Sequence, residues 1–137
     1  MADQQSPHDF LNPAGWKQAK GYANGIAAEG KMVFLGGHVG WNGQQEFETD
    51  ELADQIRQTL QNIVDVLAEA GGRPEHIVRL TWYLTSKTEY YDNLREIGTA
   101  YREVLGKHFP SMAVVQVVAL MEDRAKVEIE ATAVIPH

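Results

Sequence analysis

Two carboxylates in the segment Lys126-Val-Glu-Ile-Glu-Ala131 are the residues best placed to do chemistry. Glu128 and Glu130 alternate with Val127, Ile129 and Ala131, so both project from one face of a strand whose other face is apolar. A carboxylate on such a face either stands in water or, under a closing cleft, has a raised pKa and works as an acid/base group. The two share one parity, and alternation does not choose between them. His38 is the second candidate. It follows an apolar run and the pair Gly36-Gly37, and paired glycines let a ligand approach the backbone closely. It reads either as a hydrogen-bonded loop histidine or as a ligand contact. Trp41, three residues on, is the aromatic best placed to line a cleft. The remaining histidines are scattered: His76 and His108 read as surface residues, His8 and His137 as solvated ones. No pair has the spacing of a helical metal site, so no metal is expected. Nucleophile elbow, P-loop and dinucleotide fingerprint are all absent, and no cofactor is expected.

Composition narrows the functions such residues could serve. The chain has 137 residues, 44% hydrophobic and 23% charged, which is the profile of a globular domain. A formal net charge of -7 repels phosphate backbones, and no Lys/Arg-rich patch offsets it, so nucleic acid is not an expected partner. The absence of cysteine removes disulfides, thiolate metal sites and thiol nucleophiles. The N-terminal residues carry no apolar signal-like region, and no apolar run approaches the roughly 20 residues that span a bilayer. These features predict a soluble cytoplasmic protein that does not bind membranes. No linker or repeat divides it, so residues 1–137 are expected to form one domain, with 1–20 as an irregular lead-in broken by Asn12-Pro13 and Gly15.

The elements that must position the candidates follow from periodicity. Met32–Leu35 reads as a buried strand, with a weaker strand around Ile26 joined to it as a hairpin through Gly30-Lys31. Thr49 to Ala70 is the clearest helix: Leu52, Ile56, Leu60, Ile63 and Leu67 make one apolar stripe, with Gln55, Arg57, Gln58, Gln61 and Asp65 off it. Thr49 or Asp50 caps its start and Gly71-Gly72 its end. Val78–Leu84 is a strand, Ser86 to Glu89 a capping box, and Leu94, Ile97, Tyr101, Val104 and Leu105 mark a second helix ending near Gly106. Met112–Leu120 is apolar on both faces, Met121–Arg124 is a polar turn, and Ala125–Val134 is the alternating strand that carries Glu128. The sum is an α+β pattern. Two helices cover one face of its sheet, so the doubly apolar Met112–Leu120 strand needs cover from another copy, which predicts a homo-oligomer.

These residues resemble a known family. Gly21-Tyr22, the strand ending Leu35-Gly36-Gly37-His38, Gln58-x-x-x-Asn62-Ile63, Ala70-Gly71, Phe109-Pro110 and the tail Lys126–Val134 are together similar to the Rid (YjgF/RidA) family, from about residue 20 to 135. The resemblance implies a chorismate-mutase-like, RidA-like α+β fold: a mixed sheet with two helices packed on one face, assembled as a homotrimer with a central barrel and ligand clefts between subunits. It implies hydrolysis of reactive enamine/imine intermediates such as 2-aminoacrylate to a keto acid and ammonia. Glu128 falls at the family's cleft glutamate, Tyr22 at its cleft tyrosine, and Gly37 at the glycine whose backbone contacts the ligand. Gly36 stands where a serine is common and His38 where a glutamine is common.

The departures matter as much as the matches. Pro110-Ser111-Met112 occupies the family's proline-x-arginine element, so Met112 replaces the cleft arginine; Val114 stands at the cleft cysteine and Gly98 at an asparagine of the second helix. An arginine offers a bidentate fork to a carboxylate, and methionine offers no charge. At roughly 1.5–3 kcal/mol per charge-assisted hydrogen bond, its loss weakens a small carboxylate ligand by about two to four orders of magnitude unless something compensates. A protonated His38 is one candidate for that role. The expectation is a small-molecule site at a subunit interface, either a hydrolase in which Glu128 activates water or a metabolite-binding trimer without turnover. A ribonuclease role, an old label in this family, conflicts with the charge of -7.

Overall fold

In chain order the elements are β1 (Asp9–Leu11), β2 (Gly25–Ala27), β3 (Lys31–Val39), α1 (Leu52–Ala68), a single 3-10 turn at Pro74–His76, β4 (Ile77–Leu84), α2 (Lys87–Asp92), α3 (Leu94–Leu105), β5 (Ser111–Gln116) and β6 (Val127–Ile135). They come from a computed structural model that describes residues 6–137. Four strands form one mixed sheet in the order β3-β6-β4-β5. The central β6 runs antiparallel to both neighbours, and β4 pairs parallel with β5.

The alternation along β6 decides which face the helices cover. Val127, Ile129, Ala131 and Ala133 are buried against them, and Glu128, Glu130 and Thr132 take the opposite face. On α1 the stripe Leu52, Ile56, Leu60, Ile63 and Leu67 is at most 3% exposed. At about 1.5–3 kcal/mol for each fully buried aliphatic side chain, this stripe is a dominant force docking the helix. Ile97, Tyr101 and Leu105 of α3 join the same core, and the Tyr101 ring stacks on Trp82 of β4 at 6.3 Å between centroids. The two long helices therefore pack on one face, as expected from the sequence.

Several local expectations are corrected. Residues 9–11 are not irregular: β1 pairs antiparallel with β2, Asp9 opposite Ala27. No hairpin joins β2 to β3, because the nine-residue β3 pairs along β6 instead, Lys31 opposite Ile135. Gly30 is needed at that junction, where φ is +148° and any Cβ would collide with the Ile135 carbonyl. Met32–Leu35 is not wholly buried: Leu35 is, but Phe34 is 72% exposed and Met32 58% on the uncovered face. The second helix is two. Ser86 Oγ accepts from the Glu89 N–H and starts α2, and the chain breaks at Asn93 before α3. At the start of α1, Thr49 Oγ1 accepts from the Glu51 N–H, while Glu51 itself takes the N-cap position without a side-chain bond. The strand predicted over Met112–Leu120 stops at Gln116, leaving Val118 and Met121 in an exposed loop.

The histidines and one glutamine also differ from expectation. His76 and His108 are buried. His108 Nε2 donates to the Ile77 carbonyl at 2.7 Å, and His76 Nδ1 accepts from the Arg73 N–H at 3.0 Å. His8 Nε2 donates to the Val134 carbonyl at 2.8 Å. Gln55 lies inside the core rather than off it. Among the described residues no helix is long and apolar enough to cross a membrane.

Candidate functional site

Glu128 is presented by a defect in the sheet. Between Leu35, paired with Ala131, and His38, paired with Ile129, β3 carries two residues where β6 carries one, so Gly36 and Gly37 together face Glu130 in a bulge. The Glu128 side chain lies over Gly37 so closely that any Cβ there would overlap its carboxylate. Gly36 meets nothing within 4 Å and is open. Glycine at 37 is thus the space in which the carboxylate rests.

The structure separates the two carboxylates that alternation left equivalent. The Tyr83 hydroxyl donates to Glu130 Oε1 at 2.6 Å, and this bond holds the phenol protonated by raising its pKa. Glu130 is exposed and occupied by that donor. Glu128 is half-buried, and among the described residues no donor bonds to its carboxylate. His38 stands beside it, half-buried. Burial lowers the His38 pKa and the Glu128 charge opposes this only in part. The imidazole is therefore neutral at neutral pH, which disfavours the compensating cation expected from the sequence.

Helix α1 positions this corner through side-chain amides. Asn62 Nδ2 donates to the carbonyls of Val39 at 3.1 Å and Trp41 at 2.7 Å, fixing the chain as it leaves β3 past His38. Gln58 Nε2 donates to Asn62 Oδ1 at 2.8 Å and orients that amide. This gives the Gln58-x-x-x-Asn62 spacing a physical task. Gln55 ties the other strand: its Nε2 donates to the carbonyls of Thr49 and Arg124, and its Oε1 accepts from the Lys126 N–H at 2.9 Å, two residues before Glu128. At Gly40 a Cβ would meet the Gln55 carbonyl at 2.7 Å, so helix and strand touch through backbone. The sequence reading missed Gln55. The signal was there, since 52, 55, 56, 59, 60 and 63 are one continuous helical face. Trp41 is half-buried against Phe47 at 5.8 Å, on the loop that Arg124 clamps by its ion pair to Asp50 and its bond to the Phe47 carbonyl.

The remaining candidates lie elsewhere. Met112 pairs with Leu80 and packs on the helix-covered core; Val114 pairs with Trp82 and is 38% exposed. Tyr22 is exposed beside Ala23, whose N–H donates to the Pro110 carbonyl at 3.0 Å and which bridges to Ser111 at the start of β5. Gly98 sits mid-helix in α3, where a Cβ would approach Arg102 Nη1 at 3.3 Å. Met112 and Glu128 are thus on opposite faces of the sheet, with β4 between their strands. One chain brings Gly36, Gly37, His38 and Glu128 together, with Trp41 on the adjoining loop. It leaves Tyr22, Met112 and Val114 at the far edge and Gly98 on the helix layer.

Layer order, strand order and the double-glycine bulge define the class, a chorismate-mutase-like α+β protein. The family follows from comparison: residues 14–135 match the model described as endoribonuclease L-PSP, and the chain belongs to that family, the Rid (YjgF/RidA) proteins. It is 34% identical over 110 residues to protein DfrA of Myxococcus xanthus, covering 77% of each chain. It is 27% identical over 116 residues to the 2-iminobutanoate/2-iminopropanoate deaminase of Salmonella typhimurium, covering 82% of this chain and 86% of that one. The Rid-family protein YyfB of Yersinia pestis superposes with a TM-score of 0.81 at 27% identity, over 93% of this chain and 98% of that chain.

Proposed function

We propose that the chain forms a homotrimer with ligand clefts between subunits, and that each cleft hydrolyses an enamine or imine to a carbonyl product and ammonia. The observation that carries this reading is the Glu128 carboxylate, seated over Gly37 and bonded by no donor among the described residues, on a face one chain leaves uncovered. A cleft that includes Met112 and Val114 needs a second copy, because those residues lie across the sheet from Glu128. Exposed Val114 and Val115 supply apolar surface for such packing.

In the reaction, Glu128 takes a proton from water as the oxygen attacks the imine carbon and the C=N π pair moves to nitrogen. The protonated Glu128 then delivers that proton to nitrogen. Glu128 then takes the hydroxyl proton and passes it to the same nitrogen, so that the C–N bond breaks with NH3 as the leaving group while the carbonyl forms. The Gly37 N–H and the neutral His38 donate to the substrate, and Tyr22 shapes the cleft. With Met112 and Val114 in place of charged or thiol groups, the pocket suits a larger or less charged imine than 2-aminoacrylate.

Met112 also favours a second reading, a trimer that binds a metabolite without turnover. Ammonia release from imines generated by an amino-acid oxidase separates the two. Release above the spontaneous rate supports the hydrolase; thermal stabilisation by the same compounds without release supports the binder. Higher release from Met112→Arg on 2-aminoacrylate would show that the rest of the cleft is competent.

A further inference from the structure

The open face of the sheet carries a second feature that the Glu128 chemistry does not use. A hollow of about 330 Å³ is lined by Phe34, Arg79, Thr81, Glu130 and Thr132, with Leu35 and Ala131 at its floor. Its size falls at the lower end of small-molecule sites, roughly 300–1,000 Å³. Register explains how the walls converge. Phe34, Thr132 and Arg79 form one cross-strand row over β3, β6 and β4, and Glu130 with Thr81 forms the next.

The charges in this hollow are unusually arranged for a protein surface. Arg79 is exposed and, among the described residues, has no carboxylate within ion-pair distance, although the chain carries nineteen acidic residues against twelve basic ones. Glu130, across the hollow, is held in place by the Tyr83 hydroxyl at 2.6 Å. A free guanidinium fork, two threonine hydroxyls, an oriented carboxylate and one bare aromatic ring make a complementary set.

We infer that this hollow is a binding site for a small aliphatic α-amino acid. The Arg79 guanidinium takes the carboxylate, Glu130 takes the ammonium, the hydroxyls of Thr81 and Thr132 bond the carboxylate rim, and Phe34 packs on the side chain. Every residue comes from one chain, so the site is separate from the cleft that two copies share.

Calorimetric titration of the purified protein with L-valine tests this, with 3-methyl-2-oxobutanoate and isobutylamine as arms lacking the ammonium and the carboxylate. Saturable binding of valine is expected, with both arms weaker. Arg79→Met should weaken valine by about tenfold or more, Arg79→Lys should restore part of it, and Glu130→Gln should weaken valine but not the keto acid. Circular dichroism of each variant checks folding. No saturable valine binding, or equal binding by wild type and a folded Arg79→Met, overturns the inference. So does keto-acid binding as strong as valine binding. The readout is binding and not turnover, so the outcome is independent of the Glu128 reaction.

Discussion

At the residue scale, the site rests on one carboxylate and the absence of one methyl group. Gly37→Ala adds a Cβ where the Glu128 carboxylate lies, and the group that must yield is the end of a flexible side chain rather than backbone. The expected result is a loss of ammonia release of about tenfold or more, from displacement of the base, with a melting temperature close to wild type. A large drop in stability would show that Gly37 serves the fold instead. His38 matters as a neutral donor. Burial holds its pKa down, and the charge of Glu128 opposes this only in part. The parity of Glu128 and Glu130 was legible in the sequence; their difference was not, because it depends on Tyr83, a residue on another strand that alternation cannot connect to either.

At the element scale, α1 is both the core helix and the jig for the site. Asn62→Ala removes the donor to the Val39 and Trp41 carbonyls. It should cost about 1–3 kcal/mol in urea unfolding and should reduce activity beyond what stability explains. Retention of full activity would show that the β3 exit does not need this bond. Helices α1 and α3 and strands β4 and β6 were readable from periodicity, since each has one dominant apolar face. The hairpin between β2 and β3 was misread because a glycine between two apolar runs also marks a close backbone approach, here to the Ile135 carbonyl. Burial of His108 was missed because its partner, the Ile77 carbonyl, is distant in sequence, and that of His76 because its bond from the Arg73 N–H lies in a single 3-10 turn that no periodicity marks.

At the scale of the whole molecule, two expectations follow. Light scattering should give a mass of three chains of 15.3 kDa, and a monomer at micromolar concentration would remove the shared cleft. Stability should depend on pH through His76 and His108, whose folded pKa values burial pushes below 6.5. The unfolded chain then binds more protons, so stability falls as pH drops below about 6.5 and levels off beneath the folded values. A melting temperature unchanged between pH 7.5 and 5 would contradict this. The homo-oligomer expectation came from a tally of apolar faces and the number three from the family resemblance; the exposed Val114 and Val115 are surface that such an assembly would cover. The most direct test of the account is ammonia release from an oxidase-generated imine, measured side by side for wild type and a folded Glu128→Gln. Release above the spontaneous rate is expected for wild type, with a fall to that rate for the variant. Equal rates for the two proteins would contradict it.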